Sequence, residues 1–147
     1  MSAPPATPVA VRLGKDIQGH ELAALLTAVG WGEHGPAEMA RAIRAWPATV
    51  HARVPETGAL VGYLSAFSDS VSSTWLGELV VHPDFQRQGI ATRMLRCLES
   101  HWPGLPVTVS ALGNARHFFI ANGYQTPRAE MTVLFKKPSQ SPTAPPA

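Results

Sequence analysis

Apolar side chains recur at helical spacing in three stretches of the chain. In residues 22–29 they occupy positions i, i+3, i+4 and i+7, and residues 39–46 and 91–102 carry a similar stripe. Such a stripe is typical of a helix that turns one face towards a core. Residues 114–123 predict a shorter fourth helix that ends at Gly123.

Runs of β-branched and aromatic residues predict six strands around these helices. The strands are VAVRL (9–13), ATVHARV (48–54), ALVGYLSAF (59–67), STWLGELVV (73–81), PVTVSAL (106–112) and EMTVLFKK (130–137). The turn PETG predicts a hairpin, whereas the strand-helix-strand step from Glu78 to Val109 predicts a parallel pair. The order β-α-α-β-β-β-α-β-α-β therefore predicts an α/β fold of the α+β type, with a mixed sheet and helices on both faces.

Length and composition predict one globular domain. The 147 residues are enough for a single core, and a charged content of 15% does not suggest a disordered chain. We expect this domain to span residues 9–137. Residues 1–8 and 138–147 are rich in Pro, Ser and Ala and predict flexible tails.

The expected compartment follows from features that the sequence lacks. The first residues have no basic region followed by an apolar core, and no apolar run approaches the roughly 20 residues of a membrane span. The single cysteine, Cys97, excludes an internal disulfide and is interpreted as a small buried hydrophobe. The six histidines show no metal-ligand spacing. We therefore expect a cytoplasmic protein without a membrane partner or a bound metal.

Charge is unevenly distributed along the chain. Residues 1–86 carry five Lys/Arg against eight Asp/Glu, and residues 87–147 carry seven against two. A basic half favours a polyanionic ligand and an acidic half a cationic one, although chance scatter over solvated faces gives the same counts. The sequence has no dense Lys/Arg tract with interleaved aromatic residues, so nucleic acid is not an expected partner.

The segment VVHPDFQRQGIATRM, residues 80–94, joins the fourth strand to the third helix. Gly89 has no Cβ, and free N–H groups from about Arg87 to Ala91 lie where the helix begins. Unpaired N–H groups at the positive end of a helix favour a bound anion such as a diphosphate. The alternative is a helix start whose donors face water, with Gly89 easing the turn.

In this segment the chain resembles the GNAT (GCN5-related N-acetyltransferase) superfamily. The run Gln86-Arg87-Gln88-Gly89-Ile90-Ala91 matches the family's Q/R-x-x-G-x-G/A acetyl-CoA signature. ELVVHPDFQRQGIA resembles the family's fourth strand and the loop after it, and NARHFFIANGY resembles its last helix. The element order also matches over about residues 9–137. The resemblance implies a GNAT-like acyl-CoA N-acyltransferase fold, with acetyl-CoA as cofactor and CoA as product.

The resemblance also implies which residues contact the coenzyme. The backbone of Leu79, Val80 and Val81 pairs with the pantetheine arm as a further strand would. The diphosphate is bound by the residues of the signature, Gln86, Arg87, Gln88, Gly89, Ile90 and Ala91. Asn114 matches the family's asparagine that hydrogen-bonds the cofactor. Asn114 is also a good helix cap, and the two roles are compatible.

Acetyl transfer requires an unprotonated amine, which is scarce at neutral pH. For an ordinary alkylamine, freeing the lone pair at pH 7 costs about 4–5 kcal/mol, so a carboxylate that accepts the proton is useful. Glu78 stands where many family members carry an acidic residue, and we predict that it is the catalytic base or the anchor of the substrate amine. A structural salt bridge or plain solvent exposure is the alternative. His82 is a second candidate, with capping of the strand end as its other role.

The last helix departs from the family pattern. Many members carry a tyrosine that protonates the departing sulfur, and Phe119 stands at that position here. Phe119 has no proton to give, so the acid is left open among Tyr124, Tyr63, Ser110 and water. A thiol pKa near 8.5 makes the thiolate a tolerable leaving group, so activity is not excluded. Phe119 itself packs against the cofactor arm or belongs to the core.

The loops GWGEHG (30–35) and SDSVSS (68–73) are expected to form the acceptor side of the site. Trp31 would provide an aromatic wall, and Glu33 and Asp69 acidic anchors for a cationic amine. Trp31 is equally well explained as a lid over the core, and Asp69 as a turn cap.

These features predict an acetyl-CoA-dependent N-acetyltransferase that acetylates the primary amine of a small molecule by direct transfer in a ternary complex. The alternatives are a non-catalytic CoA-binding regulatory or interaction module, and a protein acetyltransferase acting on an N-terminus or a lysine. The resemblance makes a homodimer one option for the oligomeric state.

Overall fold

The computed structural model describes residues 7–138. Residues 1–6 and 139–147, where most of the two predicted tails fall, lie outside the described residues. The elements are β1 (Ala10–Leu13), α1 (Gly19–Ala28), α2 (Pro36–Ala45), β2 (Ala48–Arg53), β3 (Leu60–Ser68), β4 (Thr74–Val81), α3 (Ile90–His101), β5 (Val107–Thr108) and α4 (Ala115–Ala121). A single 3₁₀ turn, Pro83–Phe85, separates β4 from α3.

The strands form one mixed sheet in the order β1-β2-β3-β4-β5. Neighbouring strands from β1 to β4 pair antiparallel, and β5 pairs parallel to β4 because the chain crosses over through α3 between them. The predicted fold class, a mixed sheet combined with helices, is therefore confirmed.

The described chain forms two compact units, with the boundary between Val109 and Ser110. The first contains the whole sheet and α1 to α3, and the second contains α4. In the first unit, α1 and α2 pack on the sheet face that carries Tyr63 and Val80, and together they form one apolar core. The opposite face is covered by α3, since a Cβ at Gly62 would lie 2.9 Å from the terminal methyl of Met94.

Two predicted strands are shorter or absent. The segment 106–112 forms a strand only at Val107–Thr108, and the predicted last strand, residues 130–137, is not formed. Its apolar side chains stay in solvent, with Phe135 83% exposed. Alternating apolar residues make such a segment suited to a sheet, but a strand also requires a neighbour to satisfy its backbone hydrogen bonds. In the described chain that neighbour is missing for 130–137.

Arg53, at the end of β2, ties that strand to α1 and to two loops. Its guanidinium donates to both carboxylate oxygens of Glu21, at 2.8 and 2.7 Å. It also donates to the backbone carbonyls of Asp16 and Gly58. The hydrogen bond from Arg53 lowers the pKa of Glu21 to about 2. Because folding favours the carboxylate form of Glu21, this pair stabilises the protein at pH values above the ordinary pKa of a glutamate side chain.

Arg53→Met is expected to lower the free energy of unfolding by about 2 kcal/mol at pH 7, because it removes charge-assisted hydrogen bonds and leaves Glu21 unpaired. The stabilisation from this pair is lost as pH falls from the ordinary Glu value towards 2, so the two proteins should converge in acid. Urea unfolding followed by circular dichroism at pH 7 and pH 3 measures both effects. Arg96→Met, which breaks the surface pair with Glu99, is the control and should cost at most about 0.5 kcal/mol. Equal costs for the two variants would contradict the argument.

Candidate active site

The loop after β4 is held against the strand by its own side chains. The Gln86 amide donates to the Val81 carbonyl at 3.0 Å. His82 Nδ1 accepts from the backbone N–H of Asp84 at 3.1 Å, so His82 caps the start of the 3₁₀ turn that follows β4. The loop therefore enters α3 in a conformation that local contacts define.

Six consecutive backbone N–H groups at the start of α3, from Arg87 to Thr92, donate to no acceptor within residues 7–138. The first intrahelical bond of α3 is donated by Arg93 to the carbonyl of Gly89. Arg87 and Gly89 have φ of 62° and 78°, and such left-handed residues among successive amides form a concave nest for an anion. A positive φ is uncommon for a residue other than glycine, which makes Arg87 a candidate functional position.

The surroundings of these N–H groups are open and free of negative charge. A Cβ at Gly89 would have no heavy atom within 4 Å, and α3 has no acidic residue in its first turn. The Arg87 side chain is exposed beside the N–H groups, whereas the guanidinium of Arg93 donates to the carbonyl of Val9. Ile90 is buried, so its side chain anchors the helix and only its N–H faces outward.

One edge of β4 is unpaired over most of its length. On that side β5 pairs only with Thr74 and Trp75, and the other edge of β4 pairs with β3 as far as Val81. The backbone of Leu79, Val80 and Val81 thus has no strand beside it on the β5 side within the described chain. An extended ligand with amide groups can pair there as another strand would. The same strand leads directly into the anion nest.

Glu78 lies on β4 opposite Ser65 of β3. The Ser65 hydroxyl donates to Glu78 Oε2 at 2.9 Å. Glu78 is half-buried, and the ion pairs of the described residues do not include it, so the salt-bridge alternative is not what its contacts show. A carboxylate with one orienting hydrogen bond and no neutralising cation can accept a proton from a reactant.

Tyr63 lies on the same sheet face as Ser65 and is completely buried. Burial raises the pKa of its hydroxyl, and the negative charge of Glu78 raises it further. Tyr63 therefore keeps its proton at neutral pH.

The residues expected on the acceptor side differ in their exposure and in their hydrogen bonds. Trp31 is 45% exposed, so its ring is not a closed lid over the core, and Glu33 is exposed nearby in sequence. Asp69 accepts hydrogen bonds from the N–H groups of Val71 and Ser72, and from the Ser72 hydroxyl. These bonds lower the pKa of Asp69, and they organise the β3–β4 loop in the manner of a turn cap. Glu33 and Trp31 make no such set of loop contacts.

Asn114 and Phe119 belong to the second unit. Asn114 precedes α4, but its side chain makes no capping hydrogen bond, so the cap alternative is not realised there. Phe119 is buried and packs edge-on against Phe118 and Tyr124, with ring centroids 5.1 and 5.3 Å away.

Sequence reasoning missed three features around Glu78. Ser65 was not singled out, although its place opposite Glu78 follows from the hairpin register. Gly77 was not recognised as a β-bulge, where β4 carries one residue more than β3. A row of aromatic rings, Trp46, Phe67 and Trp75, also escaped notice because its members are distant in sequence.

Within residues 7–138, no group of three or more His, Cys, Asp or Glu side chains is placed to hold a metal ion. None of the helices in these residues is long and apolar enough to cross a membrane.

Comparisons with known proteins point in one direction. A model of the acetyltransferase (GNAT) family matches residues 18–122. A 42-residue stretch, 29% of this chain, is 48% identical to mycothiol acetyltransferase of Mycobacterium sp. (strain JLS), but covers only 14% of that protein. The matched stretch is thus a small part of that relative.

Solved structures share the fold at low sequence identity. An aminoglycoside N-acetyltransferase in complex with CoA superimposes with a TM-score of 0.68 at 14% identity, covering 92% of this chain and 99% of that one. The ribosomal-protein-alanine N-acetyltransferase of Brucella melitensis gives 0.62 at 18%, covering 87% and 99%. A GNAT family acetyltransferase of Streptococcus pneumoniae gives 0.68 at 17%, covering 88% and 100%. With the family model spanning most of the folded chain, this protein belongs to the acetyltransferase (GNAT) family.

Proposed function

We propose that this protein transfers an acetyl group from acetyl-CoA to the primary amine of a small molecule, directly, within a ternary complex. The observation that supports this proposal most directly is the series of unpaired N–H groups from Arg87 to Thr92. Unpaired N–H groups at the positive end of a helix suit the diphosphate of CoA, and the first turn of α3 offers no competing carboxylate. Two of the similar proteins are named for small molecules, mycothiol and an aminoglycoside.

The residues present fit the coenzyme. Gln86 holds the loop in place, and the N–H groups of Arg87, Gln88, Gly89, Ile90 and Ala91 would hold the diphosphate. The backbone of Leu79–Val81, which within the described chain has no strand beside it on the β5 side and of which the Val81 carbonyl accepts from the Gln86 amide, would hold the pantetheine arm. When bound, acetyl-CoA supplies the acyl group as an activated thioester. Contacts of Asn114 and Phe119 with the coenzyme rest on the family resemblance and remain part of the proposal.

Glu78 is proposed to take the proton of the substrate ammonium, directly or through water. Ser65 holds Oε2, which leaves Oε1 for the proton. An alkylamine is almost fully protonated at pH 7, and freeing its lone pair costs roughly 4–5 kcal/mol, so a carboxylate that accepts the proton as the amine attacks the thioester carbonyl speeds the transfer. Among the acids left open for the departing thiolate, Tyr63 is the least suited, because its side chain is fully buried and burial raises its pKa.

The proposal is tested by mixing the protein with acetyl-CoA and separate arylalkylamines, polyamines or amino acids, and following CoA release with a thiol reagent. We expect release that depends on the amine, with initial-velocity lines that intersect when both substrates are varied. Parallel lines would indicate a covalent acyl-enzyme and contradict direct transfer. Tight CoA binding without turnover would point to a regulatory module. Turnover only with peptides would point to a protein acetyltransferase.

The remaining expectations accompany this proposal. A single domain over residues 9–137, a cytoplasmic location and a homodimer are all compatible with it. Sedimentation equilibrium of the full chain measures the oligomeric state.

A further inference from the structure

Three aromatic rings lie in a row on the sheet beside Glu78. Trp46 stacks on Phe67 with ring centroids 6.2 Å apart and planes inclined by 27°. Phe67 in turn stacks on Trp75, its partner across β3 and β4, at 6.4 Å and 9°. Phe67 and Trp75 are 46% and 42% exposed, although large aromatic side chains are usually covered. We call these three residues the aromatic row.

The row lies on the same sheet face as the Ser65–Glu78 pair. Ser65 and Phe67 are two residues apart on β3, so their side chains point to one face. That face is covered by α1 and α2 around Tyr63 and Val80, but the core formed there does not extend to Phe67 or Trp75. The end of the sheet beyond Glu78 is therefore an open aromatic surface.

Gly77 allows the Trp46 ring to pack against β4, the strand that carries Glu78. A Cβ at Gly77 would lie 2.4 Å from the Trp46 ring, closer than any real Cβ contact. The missing side chain lets the Trp46 ring contact β4 one residue before Glu78. The bulge at the same position keeps Glu78 and Trp75 on one face despite an odd spacing.

The charge beside the row is negative. The Glu78 carboxylate accepts only the Ser65 hydroxyl among the described contacts, and no described ion pair neutralises it. The Asp69 carboxylate follows β3 but is occupied by the N–H groups and the hydroxyl of its own loop. The surface thus offers one free anionic anchor next to flat aromatic faces, which also attract cations.

We propose that the aromatic row binds the ring of an arylalkylamine whose ammonium group lies at Glu78. This inference rests on the proposed function and names its acceptor class. A planar apolar ring packs against the exposed parts of Phe67 and Trp75 and so extends the row. A single ammonium group matches the single free carboxylate, so a monoamine suits the site better than a polyamine.

The proposal is tested by calorimetric titration of the full chain, with CoA present, using three probes. 2-Phenylethylamine should bind at least about tenfold more tightly than 1-aminobutane, which lacks the ring, and more tightly than 2-phenylethanol, which lacks the charge. Phe67→Leu and Trp75→Leu should reduce the ring preference to less than about threefold. Glu78→Gln should weaken both amines and leave 2-phenylethanol unchanged.

Trp102→Leu is the matched control, because Trp102 ends α3, the helix on the opposite face of the sheet, and should leave the ring preference intact. Equal binding of 2-phenylethylamine and 1-aminobutane would overturn the inference, even where CoA release shows that the proposed function holds. Conversely, ring preference without CoA release from any amine would uphold the binding surface and reject the enzyme. If Phe67→Leu instead dissociates a dimer in sedimentation and changes no amine affinity, the row is an interface between copies and the inference fails.

Discussion

Glu78→Gln is expected to lower kcat/KM for amine acetylation by about 10²–10⁴-fold, with CoA affinity unchanged, because the variant cannot accept the ammonium proton. Glutamine keeps the size of the side chain and can still accept the hydrogen bond of Ser65. The remaining rate should depend on amine that has lost its proton in solution. It should therefore rise about tenfold per pH unit below an amine pKa near 10.4.

Steady-state CoA release across pH 6–9 measures both effects. Ser65→Ala, which removes only the orienting hydrogen bond, should lower kcat/KM roughly threefold to tenfold. Glu56→Gln, an exposed carboxylate in the β2–β3 turn, is the control and should behave like the unaltered protein. A Glu78→Gln variant with an unaltered rate and pH profile would remove Glu78 from the proton transfer and leave the binding of CoA as a separate question.

Gly89→Glu is expected to raise the dissociation constant of CoA by about 100-fold or more, because its carboxylate would lie among the N–H groups proposed to hold the diphosphate. Like charges about 4 Å apart repel by about 4 kcal/mol near a protein surface. The substitution also places a side chain at a φ of 78°, which strains the backbone by itself.

Gly104 separates these two effects. It has the same φ of 78°, and a Cβ there also meets nothing within 4 Å, but it follows the C-terminal end of α3. Gly104→Glu should therefore destabilise the fold about as much as Gly89→Glu while CoA affinity stays unchanged. The CoA affinity of Gly89→Ala should lie between those of the two Glu variants. Equilibrium dialysis measures the CoA affinity of each variant, and thermal unfolding measures its stability. Equal CoA affinity in the two Glu variants would contradict the proposal that the N–H groups at the start of α3 hold the diphosphate, on which the proposed function rests.

Much of the fold was predictable because its signals are local. The stripes in residues 22–29, 39–46 and 91–102 each contain their own helical period, and all three helices are present. The same holds for the loop between β4 and α3, where Gly89 and the helix start are neighbours in sequence. The signature in that loop identified the family together with the strand before it, the asparagine after it and the element order, and each of these is a pattern that the sequence shows directly.

The acceptor side was less predictable because its parts are far apart in sequence. Trp46, Phe67 and Trp75 come from the end of α2 and from two strands, and they meet only through the β3–β4 register. A bulge at Gly77 changes which side chains share a face, and the sequence pattern alone does not reveal it. Arg93, in the first turn of α3, likewise has a distant partner, since its guanidinium donates to the carbonyl of Val9, 84 residues earlier.

By itself, the sequence determined the helices, the hairpins and the glycine-containing loop at the start of α3, since each of these depends on residues close together in the chain. The tertiary structure decided four other features of the described chain. It ended β5 after Thr108 and left residues 130–137 without a partner, it placed Ser65 against Glu78, and it laid Trp46 on Gly77. These contacts join distant segments, so they arise only when strand pairing and packing have selected one register among many.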